Sequence, residues 1–403
     1  MCLDDIRERK SIVIKMENYK VDNEKFRVGV IGVGVIGLTV SNYLLNRFPN
    51  VQVNLVGRKE NYYIIDKKRK EIAKIEKNGR IILPSEERMS RLKAFKTIEG
   101  TKDGEMFLDS DIILICAKEG GISSKERKNE YLSNKPILEE IAKNLSSFKG
   151  DYLGVFTNPI ESNCELIAQT IIKYNPKNEF IRNKIFGITL TDTIRFQEEL
   201  NAELNKIKEY KEKEINLEEA VVLGLHDSEY MVPIYSLIKI GNKTFGSKDL
   251  NKYNELIRNR VNSAVKTDPT IIQFGNITTQ TSKIPCQAGV DTIESLRKGE
   301  SKIMSVYNGD CFMSLPAKSI NKYDKDLEKE IKLIIPIEDL LNKISKTEKA
   351  KFWEAKTINI KRYHELGLIN EFEANYKVKI LRNKNLITEE KYINFLKNYL
   401  NKI

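Results

Sequence analysis

Three glycines, Gly32, Gly34 and Gly37, stand in the order Gly-Val-Gly-Val-Ile-Gly directly after the apolar run Phe26–Ile31, FRVGVI. That run has the composition of a buried strand, and from Ile36 apolar residues recur at helical spacing through Val40, Leu44 and Leu45. A second strand-like run, Val51–Val56, follows. In a strand, glycine turn and helix of this kind each glycine has a mechanical task. The first permits the tight turn, the second lets the backbone approach a pyrophosphate, and the third lets helix and strand pack closely. The phosphates then lie against the helix N-terminus, where free N–H groups and the helix dipole favour an anion.

Further strand-like runs at Ile112–Ala117 and Tyr152–Thr157, with helical stretches between, extend the alternation. The expected fold is α/β: a Rossmann-type doubly wound parallel sheet over residues 26–159. Residues 58–107 are long and charged for one crossover and predict an extra helix or loop. Beyond Ile160 the pattern is mixed, with strands expected at Ile185–Thr189, Ala220–Leu225, Leu237–Ile240 and Cys311–Leu315 and a helix from about Asp291. This reads as a second α+β domain, residues 160–354, carrying substrate. Residues 355–403 read as a small helical appendage, and residues 1–25 as a charged leader. In the appendage, Gly367-Leu-Ile-Asn370 and Asn385-Leu-Ile-Thr388 each read as a helix stop followed by a helix start. A final helix would carry Tyr392, Ile393, Leu396, Tyr399 and Leu400 on one face.

The net charge of +11 raises the question of nucleic acid. The lysines, however, are interleaved with Glu and Asp along the chain, the pattern of solvated helix faces, and no nucleic-acid partner is expected. A general positive potential still favours anionic substrates and cofactors. No apolar run approaches the roughly 20 residues of a membrane helix, and Met1–Phe26 is too charged for a secretory signal. A cytoplasmic protein with no membrane partner is expected. The five cysteines are widely spaced, with neither a CxxC pair nor a neighbouring His, so neither zinc nor disulfides are indicated.

An acidic residue at the end of the second strand would hold the ribose hydroxyls of NAD; Gly57, Arg58 and Lys59 stand there instead. Arg58 could pair with a 2′-phosphate, so the cofactor is NAD or NADP, with NADP slightly favoured.

Five later segments, in order, resemble the L-lactate/malate dehydrogenase family. Asp111–Ala117 followed by a glycine-containing stretch, Arg127 and Asn134 is similar to its strand, mobile loop and loop arginine. Thr157-Asn158-Pro159-Ile160-Glu161 resembles its Asn-Pro-Val-Asp, with Glu161 in place of Asp. Leu190-Thr-Asp192-Thr-Ile-Arg195-Phe196 resembles Leu-Asp-Ser-Ala-Arg-Phe, and Asp192 and Arg195 share a helix face. Gly224-Leu-His226-Asp-Ser resembles Gly-Glu-His-Gly-Asp-Ser, but has Leu225 for Glu and no Gly after His226. Thr281-Ser282 resembles the Thr-Ser of a substrate-pocket helix, with an unusual Pro285 beyond it.

The resemblance implies hydride transfer between NAD(P)H and a small 2-oxo or 2-hydroxy carboxylic acid. His226 would move the hydroxyl proton, Asp192 would orient it and stabilise its cation, and Arg127 would close over the substrate and polarise its carbonyl. Arg195 would clamp the carboxylate, Asn158 and Thr281 would contact substrate, and Asn134 would lie at the cofactor. Gly121, six residues before Arg127, occupies the lid position that selects substrate. It offers no charge for a second carboxylate, so a lactate-like acid is expected over malate. A homodimer or homotetramer is implied. The alternative is a catalytically weak or inactive relative that binds dinucleotide for regulation.

Overall fold

The computed structural model describes residues 25–57, 75–77, 80–82, 86–98, 107–119, 127–207, 215–227, 229–245, 280–321 and 329–383. The first half runs β1 (Phe26–Ile31), α1 (Val35–Arg47), β2 (Val51–Val56), β3 (Ile75–Lys77), β4 (Arg80–Ile82), α2 (Glu86–Ser90), β5 (Leu92–Phe95), β6 (Ile112–Ile115), α3 (Arg127–Asn144), β7 (Tyr152–Val155), α4 (Ile160–Tyr174) and β8 (Ile185–Gly187). The second runs α5 (Leu190–Leu204), β9 (Ile215–Asn216), β10 (Val222–Gly224), β11 (Met231–Pro233), β12 (Lys239–Ile240), β13 (Lys243–Thr244), α6 (Gln280–Lys298), β14 (Lys302–Tyr307), β15 (Phe312–Asn321), β16 (Lys329–Leu333), α7 (Ile337–Asn342), α8 (Lys346–Glu365) and α9 (Glu371–Asn383).

Six parallel strands lie in the order β8-β7-β6-β1-β2-β5, the doubly wound arrangement in which the chain starts at the centre, runs to one edge and returns past the start. Their runs are apolar without alternation because helices cover both faces; all of β6, Ile-Ile-Leu-Ile, is buried. The sheet does not stop there. β14 pairs antiparallel with β8 through Ser305 and Gly187, and β15, β10 and β11 follow outward, with β16 also on β15. The mixed region expected as a second domain therefore continues the same sheet. Between β2 and β6 the expected insertion contributes the two-stranded β3–β4 and the short α2.

Helix α6 begins at Gln280, eleven residues before the expected start at Asp291, and carries Pro285 inside it. The helix runs through the proline because the following turns are tied into the interior. Cys286, Ala288 and Val290 are buried, and Gly289 stands so close to Phe156 that a Cβ there would lie 2.4 Å from the ring. Helix α8 spans residue 354, where the appendage was expected to begin, and Phe352, Trp353, Ile360 and Tyr363 are buried in the main core. Apolar residues at helical spacing dock α8 on the sheet. The stop and start around Gly367 are as read. Gly367 takes φ +69°, Leu368 N–H bonds Tyr363 O at 2.8 Å, Gly367 N–H bonds His364 O at 2.9 Å, and Asn370 Oδ1 accepts Glu373 N–H at 2.9 Å. The leader up to residue 24, the second stop-start unit and the final stripe lie outside the described residues. Among those described, no helix is long and apolar enough to cross a membrane.

Candidate active site

The glycine turn leads from β1 into α1. Gly32 adopts φ +99°, and a Cβ on it would fall 2.6 Å from Ala117 N; a Cβ on Gly37 would fall 1.9 Å from Gly32 O. These two glycines are required by the protein's own packing. Gly34 differs: among the described residues a Cβ there would meet nothing within 4 Å. It is the N-cap of α1, with no side-chain cap, so the first-turn N–H groups face this open space. An anion approaching closely is what this geometry accommodates, and the residues fit a dinucleotide pyrophosphate.

The carboxyl ends of β6 and β7 hold the next residues. Asn158-Pro159 is a cis peptide that ends β7 and leads into α4. Asn158 Oδ1 is buried and has no partner among the described residues, while its carbonyl accepts Asn134 Nδ2 at 3.0 Å. Asn134 Oδ1 in turn accepts Glu119 N–H at 2.9 Å. Both ends of the Asn134 amide are therefore engaged in fixing the Asn158 turn. Thr157 Oγ1 donates to Ala117 O at 2.7 Å and ties β7 to the chain leaving β6.

The centre of the site is His226, in the turn after β10. Its Nδ1 lies 2.7 Å from Asp192 Oδ2, in the first turn of α5. An ionised carboxylate only accepts, so Nδ1 carries the proton and Nε2 is left for other work. Thr193, beside Asp192, accepts Val222 N–H on its Oγ1 at 3.0 Å, locking α5 to β10 so that Asp192 faces the imidazole. The backbone of His226 is held as well: its N–H donates to Glu161 Oε1 at 2.9 Å and its carbonyl receives Arg127 Nη2 at 3.5 Å. Arg127 opens α3 and also pairs with Glu130 at 2.8 Å.

Burial works against the His226 imidazolium, but the Asp192 charge and hydrogen bond, with Glu161 beyond, outweigh it and raise its pKa above the ordinary 6.5; Arg127 acts in the opposite sense. Burial also raises the Glu161 carboxyl, against the pull of His226 and Arg362. Asp192 Oδ1 is buried without a partner among the described residues. Arg195, one turn beyond Asp192, is partly exposed.

The structure thus brings together His226, Asp192 and Arg127, and joins Asn134 to Asn158. Thr281 lies in α6, with its side chain outside the described residues, as are Gly121 and Arg58 altogether. Sequence reasoning gave Glu161 only a supporting part and passed over Arg362, whose guanidinium pairs with Asp227 at 2.9 Å. The signal for Glu161 was its place three residues after Asn158; Arg362 offered none, being one of many basic residues in a charged helix.

No family model matches the chain, and no curated protein matches it in sequence. Solved structures do match. The malate dehydrogenase from Aeropyrum pernix aligns with TM-score 0.60 at 19% identity, over 83% of this chain and 96% of its own. The minor L-lactate dehydrogenase from Enterococcus mundtii, in a ligands-bound form, aligns with TM-score 0.59 at 18% identity, over 86% and 99%. The lactate dehydrogenase from Cryptosporidium parvum, complexed with lactic acid and nicotinamide adenine dinucleotide, aligns with TM-score 0.55 at 15% identity, over 86% and 99%. The likeness covers the matched structures almost end to end, and the chain is built on the Rossmann-type fold of the lactate and malate dehydrogenases.

Proposed function

We propose that the chain is an NAD(P)-dependent dehydrogenase of small L-2-hydroxy acids. The observation that carries the reading is the His226–Asp192 hydrogen bond of 2.7 Å, with Arg127 of α3 donating to the His226 carbonyl. The bound nicotinamide supplies or accepts the hydride. Gly32, Gly34 and Gly37 receive the pyrophosphate at the start of α1. Arg195 clamps the substrate carboxylate, for which a planar guanidinium offers two parallel donors. In the oxidising direction His226 Nε2 takes the hydroxyl proton and Asp192 stabilises the resulting imidazolium; in the reducing direction the imidazolium returns it. Arg127 polarises the substrate carbonyl, and the Asn158 side-chain amide N–H donates to the same substrate oxygen.

A lactate-like acid is favoured over malate because Gly121 supplies no charge for a distal carboxylate, and Arg58 tilts the cofactor toward NADP. A homodimer or homotetramer in the cytoplasm completes the reading. The test follows absorbance of NADH and NADPH separately with pyruvate, oxaloacetate and longer or branched 2-oxo acids, using His226→Asn as control. Turnover that the variant loses by about 10²–10⁴-fold supports the enzyme. Tight dinucleotide binding with no turnover on any acid overturns it in favour of a regulatory binder.

A further inference from the structure

The turn that carries His226 has no glycine after the histidine, and what fixes it comes from outside. Within the turn, Leu225 N–H bonds Tyr230 O at 3.2 Å, and the N–H groups of Tyr230 and Met231 converge on Asp227 O at 3.0 and 2.9 Å. His226 itself takes no part in these bonds. Its N–H goes to Glu161 on α4, its carbonyl to Arg127 on α3 and its ring to Asp192 on α5. The next residue, Asp227, is held through Oδ2 by Arg362 Nη2 of α8 at 2.9 Å. Helix α8 reaches the same place a second time, because the neighbouring Tyr363 hydroxyl donates to Glu161 O at 2.9 Å and accepts Phe312 N–H at 3.2 Å.

We propose that Arg362 and Glu161 are positioning residues that fix the His226 turn, so that the helix near the end of the chain sets the geometry of proton transfer. The inference rests on the dehydrogenase reading above for its kinetic consequence; its structural consequence stands apart from it. The Arg362–Asp227 pair has side-chain exposures of 17% and 11%, and Glu161 is 2% exposed, so water screens neither contact well. A carboxylate accepting a backbone N–H is a charge-assisted bond, shorter and stronger than a neutral one. Removing either member leaves its partner unpaired in the interior, and the turn must then move to find water or another group. A displacement of about 1 Å at a reacting group costs on the order of 100-fold in rate.

The chain has two histidines, so a His364→Gln background leaves His226 alone to report. In that full-length background, Arg362→Met, Arg362→Lys and Glu161→Gln are compared by steady-state kinetics and by nitrogen-15 NMR of the imidazole across pH. Arg362→Met is expected to lower kcat by about 10- to 100-fold with the dinucleotide KM unchanged, and to move or lose the downfield Nδ1 proton signal of the Asp192 bond. Arg362→Lys recovers part of both. Glu161→Gln moves the His226 titration to lower pH, because a nearby negative charge is removed. Should Arg362→Met not fold, Asp227→Asn decides by the same two readouts, since it keeps the shape and removes the charge. The proposal is overturned if the folded variants keep the parent's Nδ1 signal and His226 titration, whatever happens to kcat. If the parent turns over none of the acids yet the NMR signals move as expected, the dehydrogenase reading fails and the positioning of His226 stands.

Discussion

His226 Nδ1 and Asp192 Oδ2 meet at 2.7 Å from positions 34 residues apart, one at the end of a strand and the other in the first turn of a helix. The pair raises the imidazole pKa above 6.5, because the carboxylate favours the cation more than burial disfavours it. Reduction of a 2-oxo acid needs the imidazolium, so its rate is expected to fall only as pH rises through that raised value, above 6.5. In Asp192→Asn the fall moves to lower pH and the maximum rate drops by about 10²–10⁴-fold. A pH profile of kcat/KM unmoved by the substitution would remove Asp192 from the mechanism.

The same pair makes a statement about folding. A group whose folded pKa is raised contributes stability that is fully present below its unfolded pKa and is lost as pH rises through the folded value. The His226–Asp192 contribution is therefore expected to be complete below about pH 6.5 and to fade above it. Urea unfolding of the parent and Asp192→Asn at several pH values checks this: the difference in stability shrinks toward alkaline pH.

Gly34 and Gly37 separate binding from folding. A Cβ at Gly37 collides with Gly32 O at 1.9 Å, so Gly37→Ala is expected to destabilise the chain by about 1–3 kcal/mol. Among the described residues a Cβ at Gly34 meets nothing within 4 Å, and its φ of −75° suits alanine, so only alanine's poorer N-capping remains and stability should fall by no more than about 1 kcal/mol. The open space it fills is where a pyrophosphate would lie, so Gly34→Ala is expected to weaken dinucleotide binding all the same. Thermal unfolding and fluorescence titration with NADH and NADPH check the contrast.

How much of this was legible follows from where each constraint lives. The strand–glycine–helix unit at residues 26–47 was legible because backbone packing demands Gly32 and Gly37 between a strand and a helix whose apolar patterns are plain. Asp192, Arg195 and His226 were legible as residue types in a family-like order. The contacts that hold them were not: Thr193 on Val222 N–H, Asn134 on Asn158 O and Arg362 on Asp227 are polar side chains answering one unpaired group each, at separations set by the fold. The start of α6 was read two ways: the apolar pattern placed a helix from about Asp291, while the family-like Thr281-Ser282 placed one beginning beside the observed Gln280. Pro285 reads locally as a helix boundary, and only packing against Phe156 and Ile36 favours continuing through it.

Asn134 gives a prediction that distinguishes support from contact. Its amide bridges Glu119 N–H and Asn158 O, so Asn134→Ala leaves both unpaired in a partly buried place and is expected to cost about 1–3 kcal/mol. Because Asn158 is then less well placed, the substrate KM is expected to rise while the dinucleotide affinity holds. A fall in dinucleotide affinity alone would return Asn134 to the cofactor side.

Glu348 fixes the start of α8, and with it the helix that carries Arg362. Its Oε1 accepts Tyr235 N–H at 2.7 Å, and its Oε2 accepts the Ser236 hydroxyl at 2.5 Å and Ser345 N–H at 3.0 Å, while the Ser345 hydroxyl oxygen accepts Glu348 N–H in the return capping bond. Burial works against the charge, but these donors prevail and hold the carboxyl below the ordinary 4.5. A lowered folded pKa contributes stability that is present above the unfolded value and lost as pH falls through the folded one. The parent is therefore expected to lose stability below about pH 4.5 through this group. Glu348→Gln loses about 1.5–3 kcal/mol at neutral pH and much of that acid-side dependence with it. If the two chains unfold in urea with the same dependence between pH 3 and 7, Glu348 is not what secures the helix.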